Sequence, residues 1–152
     1  MERVEELNGS RRLLILNEYP EVKKYMDDNV NFAKQTGYAK TLLNRRRYIR
    51  EISASNYNLR QFGERVAMNM PLQGSSADII KIAMIGVHNR LKKENLKSEL
   101  ILQVHDELII DAFVDEKEKI EKILVEEMEG AVKLAVNLTV ELGSGATWFD
   151  AK

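Results

Sequence analysis

Over residues 21–35 charged and apolar positions alternate at helical spacing, with Val22, Tyr25, Met26, Val30 and Ala33 on one side. Pro20 stands at the start and Gly37 just past the end, so the pattern predicts one capped helix. Two β-rich runs, 38–43 and 48–52, flank Asn44-Arg45-Arg46-Arg47 and predict a basic hairpin in which Asn44 takes a left-handed turn. Residues 58–70 read as helix and 77–91 as a second helical stretch. Pro71 restrains the residue before it and Gly74-Ser75-Ser76 offers a break and a capping hydroxyl, so a bent or two-part helix is expected. Ile80, Ala83, Met84, Val87 and Leu91 form its apolar stripe, which places Met84 in the core. Runs 100–104 and 108–113 predict a second hairpin with His105-Asp106-Glu107 at its tip. A helix capped by Asp115 and carrying Ile120, Ile123, Leu124, Met128 and Ala131 follows, and 138–142 reads as a last strand. Helices crossing a small antiparallel sheet give the class α+β.

Composition narrows the setting. A chain of 152 residues with 44% hydrophobic residues can bury a core as one domain, and no repeat or low-complexity linker argues for a second. The absence of cysteine excludes a disulfide framework and a Cys-based zinc site, and two histidines, His88 and His105, are too few for a His-rich cage. The first residues lack the apolar core of a secretory signal and no run is long enough to span a membrane, which predicts a soluble, cytoplasmic protein without a membrane partner.

Net charge is -1, yet it is segregated. Residues 34–65 hold eight basic side chains against two acidic ones, while 106–129 hold ten acidic against three lysines. A basic face can meet phosphate, and an acidic region can stay in water or near a metal; two ordinary solvated faces would read the same on charge alone.

Two groups of residues carry candidate chemistry. Gln103-Val-His105-Asp106-Glu107-Leu puts three adjacent polar groups at one edge of a hairpin. Acids at hairpin tips are more often turn formers than ligands, but two carboxylates on a rigid turn also supply the hard oxygens Mg²⁺ requires. Arg65, Asn69 and Gln73 recur at i, i+4 and i+8, so a helix carries them on one face, where arginine suits phosphate or base edges and the amides suit bases or sugars. A polar stripe facing solvent is the plain alternative.

Four segments together resemble those of bacterial family A DNA polymerases, the DNA polymerase I type. Val-His105-Asp106-Glu107-Leu is similar to the family's motif C, and Glu64-Arg65 through Asp78 to its E-R-x-x-x-N-x-P-x-Q-G-x-x-A-D segment. Gly37-Tyr-Ala-Lys-Thr-Leu-Leu-Asn-Arg-Arg-Arg resembles G-Y-x-x-T-L-x-G-R-R-R, and Gly143-Ser-Gly145-Ala-Thr-Trp148 the closing G-x-G-x-x-W. The likeness extends from about Tyr19 to Trp148.

The resemblance implies a part of the polymerase domain. Asp106 would be one of two metal-holding carboxylates for two Mg²⁺ ions, Glu107 its auxiliary neighbour and His105 a residue near the primer end. Arg65, Asn69 and Gln73 would contact primer-template DNA, as would Gln103 and the basic run Arg45, Arg46 and Arg47. Deoxynucleoside triphosphates are expected partners of the intact enzyme. Asn44 stands where the family has glycine and Arg50 where proline is frequent; a turn and an edge strand accommodate both. The likeness fades before Asn17, so 1–16 is expected to be a non-matching segment and 17–152 a polymerase-domain fragment. The family's other metal aspartate and its triphosphate-binding helix are not found in 1–16. Inactivity of the isolated chain is therefore expected, with self-association through surfaces that pack on a missing segment. The competing readings are a stand-alone primer-template binding module without catalysis and an unrelated α+β interaction protein.

Overall fold

The structure, a computed structural model, describes residues 18–151. The expected non-matching segment 1–16 lies outside the described residues. The chain divides into two compact units, one ending at Ser75 and the other starting at Ser76.

In the first unit helix α1 (Pro20–Thr36) begins on a proline, whose missing N–H is no loss in a first turn, and ends where Gly37 enters the left-handed region at φ 78°. Its last turn hands the chain to a hairpin of β1 (Tyr38–Lys40) and β2 (Arg46–Tyr48), paired antiparallel with Ala39 opposite Arg47. Asn44 sits at φ 65°, the left-handed turn expected of it. Both strands depart from the expected runs 38–43 and 48–52: β1 stops at Lys40, and β2 lies earlier, taking Arg46 and Arg47 from the expected turn, while residues Arg50–Ser53 wind into a 3₁₀ turn that buries Ile52. Helix α2 (Tyr57–Lys93) then contributes its first part to this unit. Ala33, Ala39, Ile49, Ile52, Ala67 and Met70 form the buried core, with Val30 and Val66 packed against it.

The expected break at Gly74-Ser75-Ser76 does not occur, and α2 is one helix with Pro71 inside it. Pro71 removes one backbone donor, a defect that costs a free helix about 3 kcal/mol. Contacts from the hairpin compensate: the Leu42 amide donates to Ser75 Oγ (2.8 Å), and the Arg45 guanidinium donates to the Gly74 carbonyl (2.9 Å). The Ser75 hydroxyl in turn donates to the Pro71 carbonyl. Gly74 is there for space, since a Cβ at that position would stand 2.7 Å from the Thr41 methyl.

In the second unit the remainder of α2 buries Ile80, Ala83, Val87 and Leu91, the expected stripe, with Met84 half-buried. Strands β3 (Glu99–Val104) and β4 (Glu107–Asp111) pair antiparallel, with an irregularity between Leu100 and Leu102. Helix α3 (Lys117–Glu129) packs Ile120 and Ile123 against Val87 and Leu91, with Leu96, Leu100, Leu108, Ile110 and Leu124 around them. Arg90 ties the two helices, bonding Glu94 on its own helix (2.8 Å) and Glu126 and Glu127 on α3 (2.9 and 3.0 Å). The class is α+β, although the β-structure among the described residues is two separate two-stranded hairpins and not one small sheet. No helix of the described residues is long and apolar enough to cross a membrane.

Two further expectations are corrected. Residues 138–142 form no strand. Their period-two pattern finds no ladder among the described residues, and the Val140 amide donates instead to Glu129 (3.1 Å). Asp115 is not a cap, since it lies in a 3₁₀ turn (Val114–Glu116) ahead of α3. Its neighbour Glu116 organises this corner instead. The Glu116 carboxylate accepts the Lys97 and Ser98 amides and the Ser98 hydroxyl, while Ser98 Oγ accepts the Phe113 amide. Those donors, the Lys97 amide foremost, hold the Glu116 carboxyl below the usual glutamate range.

A carboxyl lowered on folding contributes stability that is complete above its unfolded value, about pH 4.3, and lost as the pH falls through the folded one. Glu116→Gln is thus expected to melt below the parent at neutral pH and to converge with it in acid, as followed by circular dichroism. Parallel melting curves at every pH would contradict this.

Candidate functional site

The first candidate surface lies in the unit that ends at Ser75. Arg65, Asn69 and Gln73 line one concavity of about 210 Å³, together with Arg47 from β2 and Phe62 one turn earlier on α2. The helical period brings the first three together, and the antiparallel pairing of β2 delivers Arg47. Val66 and Met70 complete the lining, and no acidic side chain belongs to it. The Arg65 guanidinium lies 6.0 Å from the centre of the Phe62 ring. Such a surface offers two cations, two amides that both donate and accept, and one aromatic face, a set suited to an anionic ligand with polar edges.

The three arginines of the hairpin are not equivalent. Arg47 joins the concavity, Arg46 lies over the Tyr38 ring at 4.7 Å, and Arg45 is turned onto the Gly74 carbonyl. Only one of the three therefore stands with Arg65, Asn69 and Gln73. Phe62 was missed by sequence reasoning, although its i-3 relation to Arg65 was a usable signal.

The second candidate surface is the tip of the β3–β4 hairpin. Val104 pairs with Glu107, so the turn has His105 and Asp106 at its centre and Glu107 opens the returning strand. His105 adopts φ 52°, and the Gln103 side-chain amide donates to the His105 carbonyl (2.6 Å), closing the tip. Gln103 is thereby a brace of the turn. His105, Asp106 and Glu107 are all exposed.

Trp148, the sole tryptophan, reaches this tip: its indole N–H donates to Glu107 Oε2 at 3.3 Å. The turn behind it is held by Thr147 Oγ1 donating to Asp150 (2.6 Å). Glu107 and Trp148 are 41 residues apart, beyond any local pattern. Among the described residues no three His, Cys, Asp or Glu side chains gather as a metal site. The donor set at the tip is two adjacent carboxylates, one of them held by Trp148. That set fits one side of a Mg²⁺ site, because this ion keeps waters and substrate phosphates in its shell and takes one or two protein carboxylates.

Residues 15–150 match the model of the family described as DNA polymerase family A. The chain belongs to that family.

The family's polymerase I relatives are close in sequence. DNA polymerase I of Caldicellulosiruptor bescii is 53% identical over 134 residues, which are 88% of this chain and 16% of that protein. DNA polymerase I of Bacillus subtilis is 53% identical over 137 residues, 90% of this chain and 16% of that protein. Among solved structures, the POL domain of Pol1 from M. smegmatis in complex with DNA primer-template and dNTP matches with a TM-score of 0.87 and 42% identity. That match covers 90% of this chain and 24% of the other. The chain thus spans about a sixth of the length of the family A relatives it matches. The family A segments quoted from the sequence all fall within the matched residues. The departure at Asn44 is accommodated by its left-handed backbone, a conformation that asparagine adopts at little cost.

Proposed function

We propose that this chain forms part of a DNA-directed DNA polymerase, in which the concavity of α2 and β2 receives primer-template DNA and the β3–β4 tip receives the metal-bound reacting end. The observation that carries the reading is the gathering of Arg47, Arg65, Asn69 and Gln73 in one acid-free concavity, in a chain similar to a POL domain complexed with primer-template and dNTP. Arg47 and Arg65 supply charge for backbone phosphate. Asn69 and Gln73 supply donors for the minor-groove acceptors shared by all base pairs, which permits checking of shape without preference for sequence. His105 would stand beside the primer terminus.

Asp106 is the residue that would hold a divalent cation, Mg²⁺ by the chemistry of its oxygens, with Glu107 as its neighbour. When bound, such ions activate the primer 3'-hydroxyl and stabilise the departing pyrophosphate of a deoxynucleoside triphosphate. This chain's own part is to keep the tip rigid: Gln103 closes the turn and Trp148 orients Glu107.

The test is fluorescence anisotropy of a primed DNA duplex titrated with the chain at two salt concentrations. Binding is expected to weaken as salt rises, and Arg65→Ala is expected to weaken it by roughly tenfold. Salt-independent binding, or an Arg65→Ala variant that binds like the parent, would contradict the assignment of this face.

A further inference from the structure

We infer that the loop of the β1–β2 hairpin is a positioning device for Gln73, with Arg45 acting on the helix backbone and not on nucleic acid; this rests on the reading of the α2 concavity given above. A five-residue loop grips α2 immediately after Gln73. The Arg45 guanidinium donates to the Gly74 carbonyl (2.9 Å), and the Leu42 amide donates to Ser75 Oγ (2.8 Å). Thr41, only 3% exposed, presses its methyl group into the space a side chain at 74 would occupy. The loop is itself closed by Thr41, whose amide donates to the Arg45 carbonyl (2.9 Å) and whose Oγ1 accepts the Arg45 amide (3.1 Å).

These contacts fall beside the proline inside α2. Pro71 lacks the N–H that would bond the carbonyl of Ala67, so the stretch just before Gln73 has one intrahelical bond fewer than an unbroken helix interior. Gln73 has a long side chain on an exposed face, and its reach toward a ligand is set by the backbone beneath it. Arg45 sits inside an Arg-Arg-Arg run, which on charge alone would make it a phosphate contact. Its bond to a backbone carbonyl gives it a different task from that of Arg47, which lines the concavity.

A double-mutant cycle on the full chain separates the two tasks, read as affinity for a primed duplex across a salt series. Arg45→Ala is expected to weaken binding roughly three- to tenfold, and this loss is expected to shrink to less than about twofold in a Gln73→Ala background, because both changes act through one side chain. The slope of log affinity against log salt is expected to stay that of the parent, since no phosphate contact is removed. A slope shallower by about one, with the full loss retained beside Gln73→Ala, would make Arg45 a phosphate contact and overturn the inference. Ser75→Ala removes the Leu42 bond without touching charge and is expected to show the same coupling. If it binds like the parent the inference falls, even where Arg45→Ala does not fold. A Gln73→Ala variant with unchanged affinity would overturn both the inference and the assignment of Gln73 to the primer-template face, whereas weak binding by Gln73→Ala with additive Arg45→Ala would overturn the inference alone.

Discussion

Replacing Asp106 by alanine is expected to lower nucleotide incorporation by on the order of a thousandfold or more, measured in a chimaeric polymerase in which residues 15–150 replace the matching part of the Bacillus subtilis relative. The magnitude follows from what the side chain would do. Phosphoryl transfer offers the protein little covalent chemistry, so the rate comes from positioning and from stabilising charge around the metal ions. Asp106 is at the centre of an exposed two-residue turn with one neighbouring carboxylate, and Glu107 is already held by Trp148. No third ligand stands near enough to replace it among the described residues. Glu107→Ala is accordingly expected to cost less than Asp106→Ala. The chain by itself is expected to give no incorporation, because two carboxylates alone do not complete a two-metal site. Single-turnover extension of a labelled primer reads all three results. An Asp106→Ala chimaera within tenfold of its parent would overturn the proposed metal-holding role of Asp106, and extension by the isolated chain that Asp106→Ala abolishes would show the proposed site to be complete.

Ile49→Ala is expected to destabilise the chain by about 2–5 kcal/mol, in the upper part of that range. Ile49 is 1% exposed, and three of its core companions are Ala33, Ala39 and Ala67. Alanines have no side-chain freedom with which to refill the space, so most of the cavity remains. The amide of Ile49 also donates to the Gly37 carbonyl (2.9 Å), which keeps the backbone in place and further limits collapse. Against the roughly 5–15 kcal/mol that holds an ordinary domain together, such a loss is a large fraction. Because Ile49 follows Arg47 by two residues and shares its core with Ala67 and Met70 of α2, the same change is expected to loosen the concavity proposed to receive primer-template DNA. Urea unfolding checks it: the midpoint should fall with little change in slope. A loss below about 1 kcal/mol would mean that the core can close over the missing atoms.

Features built from near neighbours were legible in the sequence. Pro20 and Gly37 bound α1 because a first turn tolerates a missing donor and a last turn needs a left-handed residue. Asn44 marked its turn for the same local reason. The shared face of Arg65, Asn69 and Gln73 needed only the helical period, and the tip at His105-Asp106-Glu107 only two apolar runs around a polar trio. Elsewhere the local signal misled. Pro71 and Gly74 weaken an isolated helix, and nothing nearby in sequence shows that Thr41, Leu42 and Arg45, about 30 residues earlier, hold it together. Asp115 has the side chain of a cap, but the amides that need a carboxylate belong to Lys97 and Ser98, and Glu116 is the residue placed to meet them. Residues 138–142 alternate like a strand without a partner among the described residues.

By itself the sequence determined the family, the order of helices and hairpins, and which side chains could do chemistry, because motif, period and capping are properties of residues within a few positions of one another. The tertiary structure alone decided how those side chains are used. It separated Arg45, Arg46 and Arg47 into a backbone brace, a ring contact and a member of the concavity, and it brought Trp148 to Glu107 across 41 residues. The physical reason is that a donor's partner is set by which groups packing brings within about 3 Å, and packing joins residues that no sequence window contains.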